Sequence, residues 1–158
     1  MSRYITIAAA QLGPIEKDHS RESVVERLIA MLHQAVSSNC KLVVFPELAL
    51  TTFFPRWYTE DLAGHDHYYE TSMPSPATQP LFDEAKRLGI GFALGYAELT
   101  EPGADGLQHR FNTTVLVERD GTIVGKYRKV HIPGHEDDEP WRPFQHLERR
   151  YFEESNEG

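Results

Sequence analysis

Cysteine is nearly missing from this chain: Cys40 is the only one among 158 residues, which excludes an internal disulfide and any cysteine-rich metal knuckle. Long apolar runs are missing too. The longest, such as Leu42 to Phe45, fall far short of the about 20 residues that cross a bilayer as a helix. Met1-Ser2-Arg3 runs straight into a strand pattern without the apolar core of a signal peptide, so a cytoplasmic location is expected. Positive charge is in deficit. Sixteen Lys and Arg against twenty-four Asp and Glu leave a net charge of -8, which repels phosphate backbones and anionic lipid, so neither nucleic acid nor membrane is expected as a partner. No internal repeat and no low-complexity segment occurs. What is present suffices for a core: 40% of the residues are hydrophobic and 11% aromatic, the composition of one globular domain and not of a disordered chain. Asn112-Thr113-Thr114 matches a glycosylation sequon, but without an export signal it is read as chance.

Tyr4 to Gln11 is a short apolar, β-branched run ended by Gly13-Pro14 and reads as a first, largely buried strand. Val24, Val25, Leu28, Ile29, Leu32, Ala35 and Val36 then recur at three- and four-residue steps, with Ser20 in place to cap the start, so an amphipathic helix is expected there. Leu42 to Phe45 is a continuous apolar strand of the kind found where both faces of a sheet are covered, and Pro46 ends it. Ser75-Pro76 offers an N-cap and a first-turn proline for a second helix, with Leu81, Phe82, Ala85 and Leu88 as its stripe and Gly89 as its close, although Pro80 confuses the start. Ile90 to Tyr96, Phe111 to Glu118 and Thr122 to about Lys129 read as strands, the last two joined by a turn at Asp120-Gly121. The order predicts an α/β layered domain with a mixed sheet. From Gly134 to Gly158 the chain is polar, charged and proline-containing, and nothing there is expected to complete a fold. Two helices are few for five strands, so part of the apolar surface is expected to stay uncovered and the chain to be a fragment.

Three places carry chemistry. Glu47 follows Phe45-Pro46 at the carboxyl end of a strand, where catalytic groups of open α/β sheets gather and where apolar walls would raise a carboxyl pKa to suit a general base. The plain alternative is an exposed Glu opening a loop. Strand alternation puts Ile123, Gly125, Tyr127 and Lys129 on one face and Val124, Lys126 and Arg128 on the other. Lys129 thereby extends the more apolar face, where it needs an anion or a developing negative charge to stabilise; if the strand frays first, Lys129 belongs to a solvated basic cluster. Histidines 131, 135 and 146 crowd the segment that follows, and His65 and His67 form another close pair. Pro133-Gly134 prevents a helix that would converge His131 and His135, so hydrogen-bonding histidines in a polar wall are preferred to a metal site. Cys40 sits at the beginning of the strand whose far end carries Glu47, about 13 Å away over four residues, and reads as a small buried hydrophobe. The aromatic run Phe53 to Tyr58 could wall a pocket, meet a second copy or pack on the surface.

Phe45-Pro46-Glu47-Leu48 after a strand and Gly125-Lys126-Tyr127-Arg128-Lys129-Val130-His131-Ile132-Pro133 later resemble the nitrilase, or carbon-nitrogen hydrolase, superfamily. Within it, the segments Pro46 to Trp57, Arg110-Phe111-Asn112-Thr113 and Arg142 to Glu148 are similar to the N-carbamoyl-D-amino-acid hydrolases. The resemblance implies an α-β-β-α sandwich, of which residues 1–158 would be the N-terminal part, and a Glu-Lys-Cys triad whose first two members match Glu47 and Lys129. It makes Glu148 a second active-site glutamate and gives supporting roles to His131, His146 and Asn112. The cysteine of the triad, and the arginine beside it that would recognise a substrate carboxylate, have no counterpart here. The resemblance implies a small-molecule partner, an N-carbamoyl amino acid, no cofactor and no metal, and a homo-oligomer for a complete chain. Another branch of the superfamily (a nitrilase, an aliphatic amidase or a β-ureidopropionase) and a non-catalytic interaction fragment are the competing expectations.

Overall fold

The computed structural model describes residues 4–155. Met1 to Arg3 and Asn156 to Gly158, on which the readings of a missing leader and of the final residues fall, lie outside them. Five strands form one sheet in the order β1-β2-β3-β4-β5, with β1 (Ile7–Ala9), β2 (Leu42–Val44) and β3 (Gly91–Leu99) parallel, and β4 (Arg110–Val117) and β5 (Ile123–Arg128) antiparallel to their neighbours. Helix α1 (Arg21–Ser37) joins β1 to β2 and α2 (Gln79–Leu88) lies between β2 and β3. Because both crossovers step in the same direction across the sheet and share the right-handed sense, both helices belong on one face.

That face holds the main core. Leu28, Leu32 and Ala35 of α1 and Leu81, Phe82 and Ala85 of α2 pack on Val43, Phe45, Phe92, Leu94, Tyr96 and Val115. Ser20 caps α1 by accepting from the Ser23 amide at 3.2 Å, as its position before the apolar stripe suggests. Helix α2 starts later than Ser75-Pro76 implies, at Gln79 with Thr78 as cap. Pro80 decides this: it has no N–H and clashes with a preceding turn, so it fits only the first turn of the helix. Gly89 closes α2 at φ +65°, a left-handed conformation that glycine adopts without a Cβ clash.

The other face is open, and here the expectation of buried strands is corrected. Ile5, Ile7, Val44, Leu116 and Tyr127 are exposed, since α1 and α2 both cover the opposite side. A bulge between Leu116 and Val117 also corrects the alternation in β5. Ile123 packs on the helix-covered core, whereas Tyr127 and Lys129 border the open-face cleft with Val44, Ala93 and Thr114. One extra residue in a strand inverts the facing of everything before it.

A second core corrects the reading of the polar C-terminal segment. Ile132, Leu147, Tyr151 and Phe152 close around Phe54, Leu48, Tyr69, Ala97 and Leu99. Leu147 and Tyr151 stand four apart across the short helix α3 (Glu148–Tyr151), so both reach one side of it. The Phe54 ring stacks on Tyr68 at 4.7 Å and meets Tyr151 edge-on at 5.1 Å. Three apolar side chains in a charged segment are enough when an aromatic hub is waiting for them.

Candidate active site

The topology brings four distant residues to one end of the sheet. Glu47 follows the carboxyl end of β2 by three residues. Since β4 is antiparallel to β3, its beginning lies beside the end of β3, with Asn112 opposite Ala97. Strand β5 runs antiparallel to β4, so its end returns to the same edge, with Arg128 opposite Thr113 and the Lys129 amide donating to the Asn112 carbonyl at 2.8 Å. Glu148 is delivered by the second core: the Leu147 amide donates to the Pro55 carbonyl at 2.7 Å and the buried Leu147 anchors the first residue of α3.

There the Lys129 ammonium donates to Glu47 Oε1 at 2.6 Å and to Glu148 Oε2 at 2.7 Å. The Asn112 amide nitrogen donates to Glu47 Oε1 at 2.5 Å and lies 3.5 Å from Glu148 Oε2. His146 Nε2 stands 2.7 Å from Glu148 Oε1. The two carboxylates differ in setting: the Glu148 side chain is 3% exposed and that of Glu47 51%. A buried carboxylate must be fully hydrogen-bonded, and Lys129, Asn112 and His146 surround Glu148 accordingly. Glu47 is not sealed by apolar walls as its sequence position implies; one side of it is open, and its partners are polar. Burial pushes the Lys129 ammonium down, but hydrogen bonds to Glu148 and then Glu47 outweigh it and hold its pKa above the usual lysine value. At neutral pH it is therefore a cation, fit to stabilise negative charge and unfit to accept a proton.

Other residues singled out in the sequence fall as follows. His131 is exposed and joins the cluster through no hydrogen bond. His135 donates its backbone amide to the His146 carbonyl at 2.9 Å. His65 and His67 stand together, 6.2 Å apart, on a 3-10 helical turn beside the Phe54 hub, away from the carboxylates. Cys40 is buried among Ala8, Met31, Ala35 and Val43, under α1 at the amino end of β2. The aromatic run divides: Phe54 is a core hub, Phe53 meets the His146 ring at 5.6 Å, and Trp57 lines a cleft beside Glu47. Among the described residues no three His, Cys, Asp or Glu side chains converge as a metal site would require, and no helix is long and apolar enough to cross a membrane.

Two glycines escaped the sequence reading. A Cβ on Gly95 would stand 3.0 Å from the Glu47 Cα and from the Pro46 carbonyl oxygen, so any side chain at residue 95 would press the turn carrying Glu47 away from β3 by a few tenths of an ångström. That turn is tight: Leu48 has φ +49°, an uncommon conformation for a residue with a branched side chain. Gly134 has φ +81°, and a Cβ there would overlap the His146 carbonyl. A glycine inside a strand pattern was the available signal for the first; Pro133-Gly134 marked a break at the second, but not the His146 carbonyl that it meets.

The chain belongs to the carbon-nitrogen hydrolase family, whose model matches residues 6–157. It is 27% identical over 137 residues to nitrilase 3 of an unknown prokaryotic organism, covering 81% of this chain and 39% of that protein. It is 24% identical over 132 residues to N-carbamoylputrescine amidase of Solanum tuberosum, covering 84% of this chain and 40% of the relative. The crystal structure of a carbon-nitrogen hydrolase from Helicobacter pylori G27 superposes with a TM-score of 0.70 at 26% identity, covering 98% of this chain and 46% of that one. The chain thus spans between 39% and 46% of the length of these proteins.

Proposed function

We propose that Glu47, Lys129 and Glu148 are the acid-base and electrostatic part of a hydrolase that cleaves a carbon-nitrogen bond, the carbamoyl bond of an N-carbamoyl-D-amino acid. The observation that carries the reading is the Lys129 ammonium held at 2.6 and 2.7 Å between a half-exposed and a buried carboxylate, at the sheet edge where α/β enzymes gather their chemistry. Glu47, open on one side, takes a proton from a cysteine thiol. The thiolate attacks the ureido carbonyl, and Lys129 faces the oxyanion that develops. Glu47 returns the proton to the departing nitrogen, ammonia leaves, and a thiocarbamyl intermediate remains. Water, deprotonated by Glu47, opens it and regenerates the thiol; the carbamate released loses carbon dioxide to give the free amino acid. Glu148, with His146 and Asn112, keeps Lys129 aimed during both steps. The thiol comes from polypeptide outside these residues, because Cys40 lies at the wrong end of β2.

The 158-residue chain is accordingly expected to release no ammonia from an N-carbamoyl-D-amino acid. Joined to the cysteine-bearing remainder of a family member, it is expected to do so. Ammonia release by the chain alone that Cys40→Ala abolishes would overturn this placement of the nucleophile. The nitrilase likeness favours a second reading, in which the same cluster serves a nitrile or an amide. Offering the joined protein a nitrile, an amide and an N-carbamoyl-D-amino acid side by side separates them, and the carbamoyl substrate is expected to have the highest kcat/KM.

A further inference from the structure

We infer that Arg21, the first residue of α1, is a positioning residue for Glu47: it clamps the turn that carries the glutamate and so fixes where the carboxylate stands against Lys129. This rests on the reading of Glu47 as the base. A cation in the first turn of a helix opposes the helix dipole, so helix stability does not account for an arginine there. What it reaches does. Helix α1 begins at the carboxyl end of the sheet, and from there the Arg21 guanidinium donates to the Leu50 carbonyl and, at 3.1 Å, to the Tyr68 carbonyl, while its Nε stands 2.6 Å from Glu70 Oε1. The ion pair is largely buried, its side chains 15% and 8% exposed.

Glu70 anchors the clamp in the sheet. Its amide donates to the Ala97 carbonyl at 2.8 Å, and its carbonyl accepts from the Leu99 amide at 3.0 Å, so it is fastened to the end of β3. The turn after β2 is thereby held from two sides: the Ala49 amide donates to the Gly95 carbonyl at 2.9 Å, and Arg21 takes the carbonyl of the next residue, Leu50. An uncommon backbone such as that of Leu48, at φ +49°, persists only where its surroundings over-determine it. Without Arg21 the turn loses one of its two holds, and the buried Leu50 is left with a carbonyl that must find another donor. The contacts of Glu47 with Lys129 and Asn112 hold its carboxylate and not its backbone. At a reacting group, a displacement of about an ångström can cost about a hundredfold in rate.

Arg21→Lys tests this, because a lysine keeps a cation for Glu70 but lacks the fork that reaches two carbonyls at once, and the variant is expected to fold. In the 158-residue chain, hydrogen exchange at the Ala49 amide is expected to quicken about tenfold, the scale of one lost hydrogen bond, with the α1 amides of Leu28 and Leu32 unchanged. In the joined protein, kcat of Arg21→Lys is expected to fall by about tenfold to a hundredfold with KM nearly unchanged, the pattern of a misplaced base and not of weakened binding. Arg21→Met, which removes the charge as well, should lose no less. Exchange that quickens alike in the turn and in α1 would make Arg21 a general support of the fold and overturn the inference. Normal kcat in Arg21→Lys, or a change confined to KM, would also overturn it. Glu47→Gln in the joined protein separates the inference from the reading beneath. If that variant keeps its kcat, Glu47 is not the base and both fail; if it loses kcat while Arg21→Lys does not, only the role of Arg21 fails.

Discussion

Buried carboxylates at Glu148 and Glu98 follow one rule with two outcomes. Each is surrounded by donors, Glu148 by Lys129, Asn112 and His146 and Glu98 by Lys126, Arg128 and Thr113, but only the first set includes a carboxylate partner open to solvent, Glu47. The Glu98 group is structural by this comparison. Burial raises its pKa, yet the hydrogen bonds from Arg128, Lys126 and Thr113 outweigh that and bring it to about 2. A folded pKa below the unfolded one stabilises the fold above the unfolded value, and the contribution is lost as the pH falls from about 4.5 towards 2. Glu98→Gln is therefore expected to cost about 1–3 kcal/mol at neutral pH, with the difference from the parent shrinking through that acid window; urea melts at several pH values read it. A constant difference would mean that charge is not what Glu98 contributes. Glu47 and Lys129 were singled out in the sequence as charges at strand ends, each with a plain surface alternative left open, and it was the family likeness that favoured the site reading. Asn112 was not singled out, except by family likeness, since an asparagine at the start of a strand gives no sign that both its amide hydrogens point at carboxylates. Gly95 carried a signal, a glycine inside a strand, but what it makes room for is seen only in the packing.

Elements built on periodicity were legible; elements that depend on what another segment offers were not. The α1 stripe and the Asp120-Gly121 turn, where Gly121 has φ +86°, carry their own instructions. The bulge in β5 and the docking of α3 do not, because the first depends on how β4 pairs and the second on Phe54, more than ninety residues upstream of Tyr151 and Phe152. The segment after α3 is tied down a second time. The Glu153 amide donates to the Arg110 carbonyl at 2.8 Å, and the Glu153 carboxylate stands 2.7 Å from His109 Nδ1 and accepts from the Arg110 amide. Asp105 approaches the other ring nitrogen at 3.2 Å. The hydrogen bond and charge of Glu153, then the charge of Asp105, raise the His109 pKa against a smaller opposing effect of burial. A raised folded pKa makes this contribution complete below the unfolded value, about 6.5, and it is lost as the pH rises through the folded one. The Glu153 amide is thus expected to show greater hydrogen-exchange protection at pH 6 than at pH 9 once intrinsic rates are removed. His109→Gln should flatten that difference; protection that is insensitive to both would leave His109 without this role.

At the scale of the molecule, one sheet with α1 and α2 on a single side leaves Ile5, Ile7, Val44, Leu116, Val124 and Tyr127 in water. Apolar patches and a β1 edge strand of this kind invite association. The 158-residue chain is expected to self-associate at micromolar concentration, which sedimentation velocity would detect; a monomer that melts cooperatively would mean that the open face is tolerated. The same exposure explains why the strands read as buried on both sides: Leu42-Val43-Val44-Phe45 has the composition of a doubly covered strand, and the described residues supply only one of its covers. Function at this scale depends on whether the three charges at the sheet's carboxyl edge act on a bond. Lys129→Ala in the joined protein tests that most directly; His146 and Asn112 still hydrogen-bond Glu148, and losing the cation beside a buried carboxylate should cost the fold about 3–5 kcal/mol. Steady-state ammonia release from an N-carbamoyl-D-amino acid is expected to fall in kcat by about a thousandfold, because Lys129 acts on charge that exists only in the transition state. Near-normal kcat in that variant would contradict the assignment and return Lys129 to a structural ion pair.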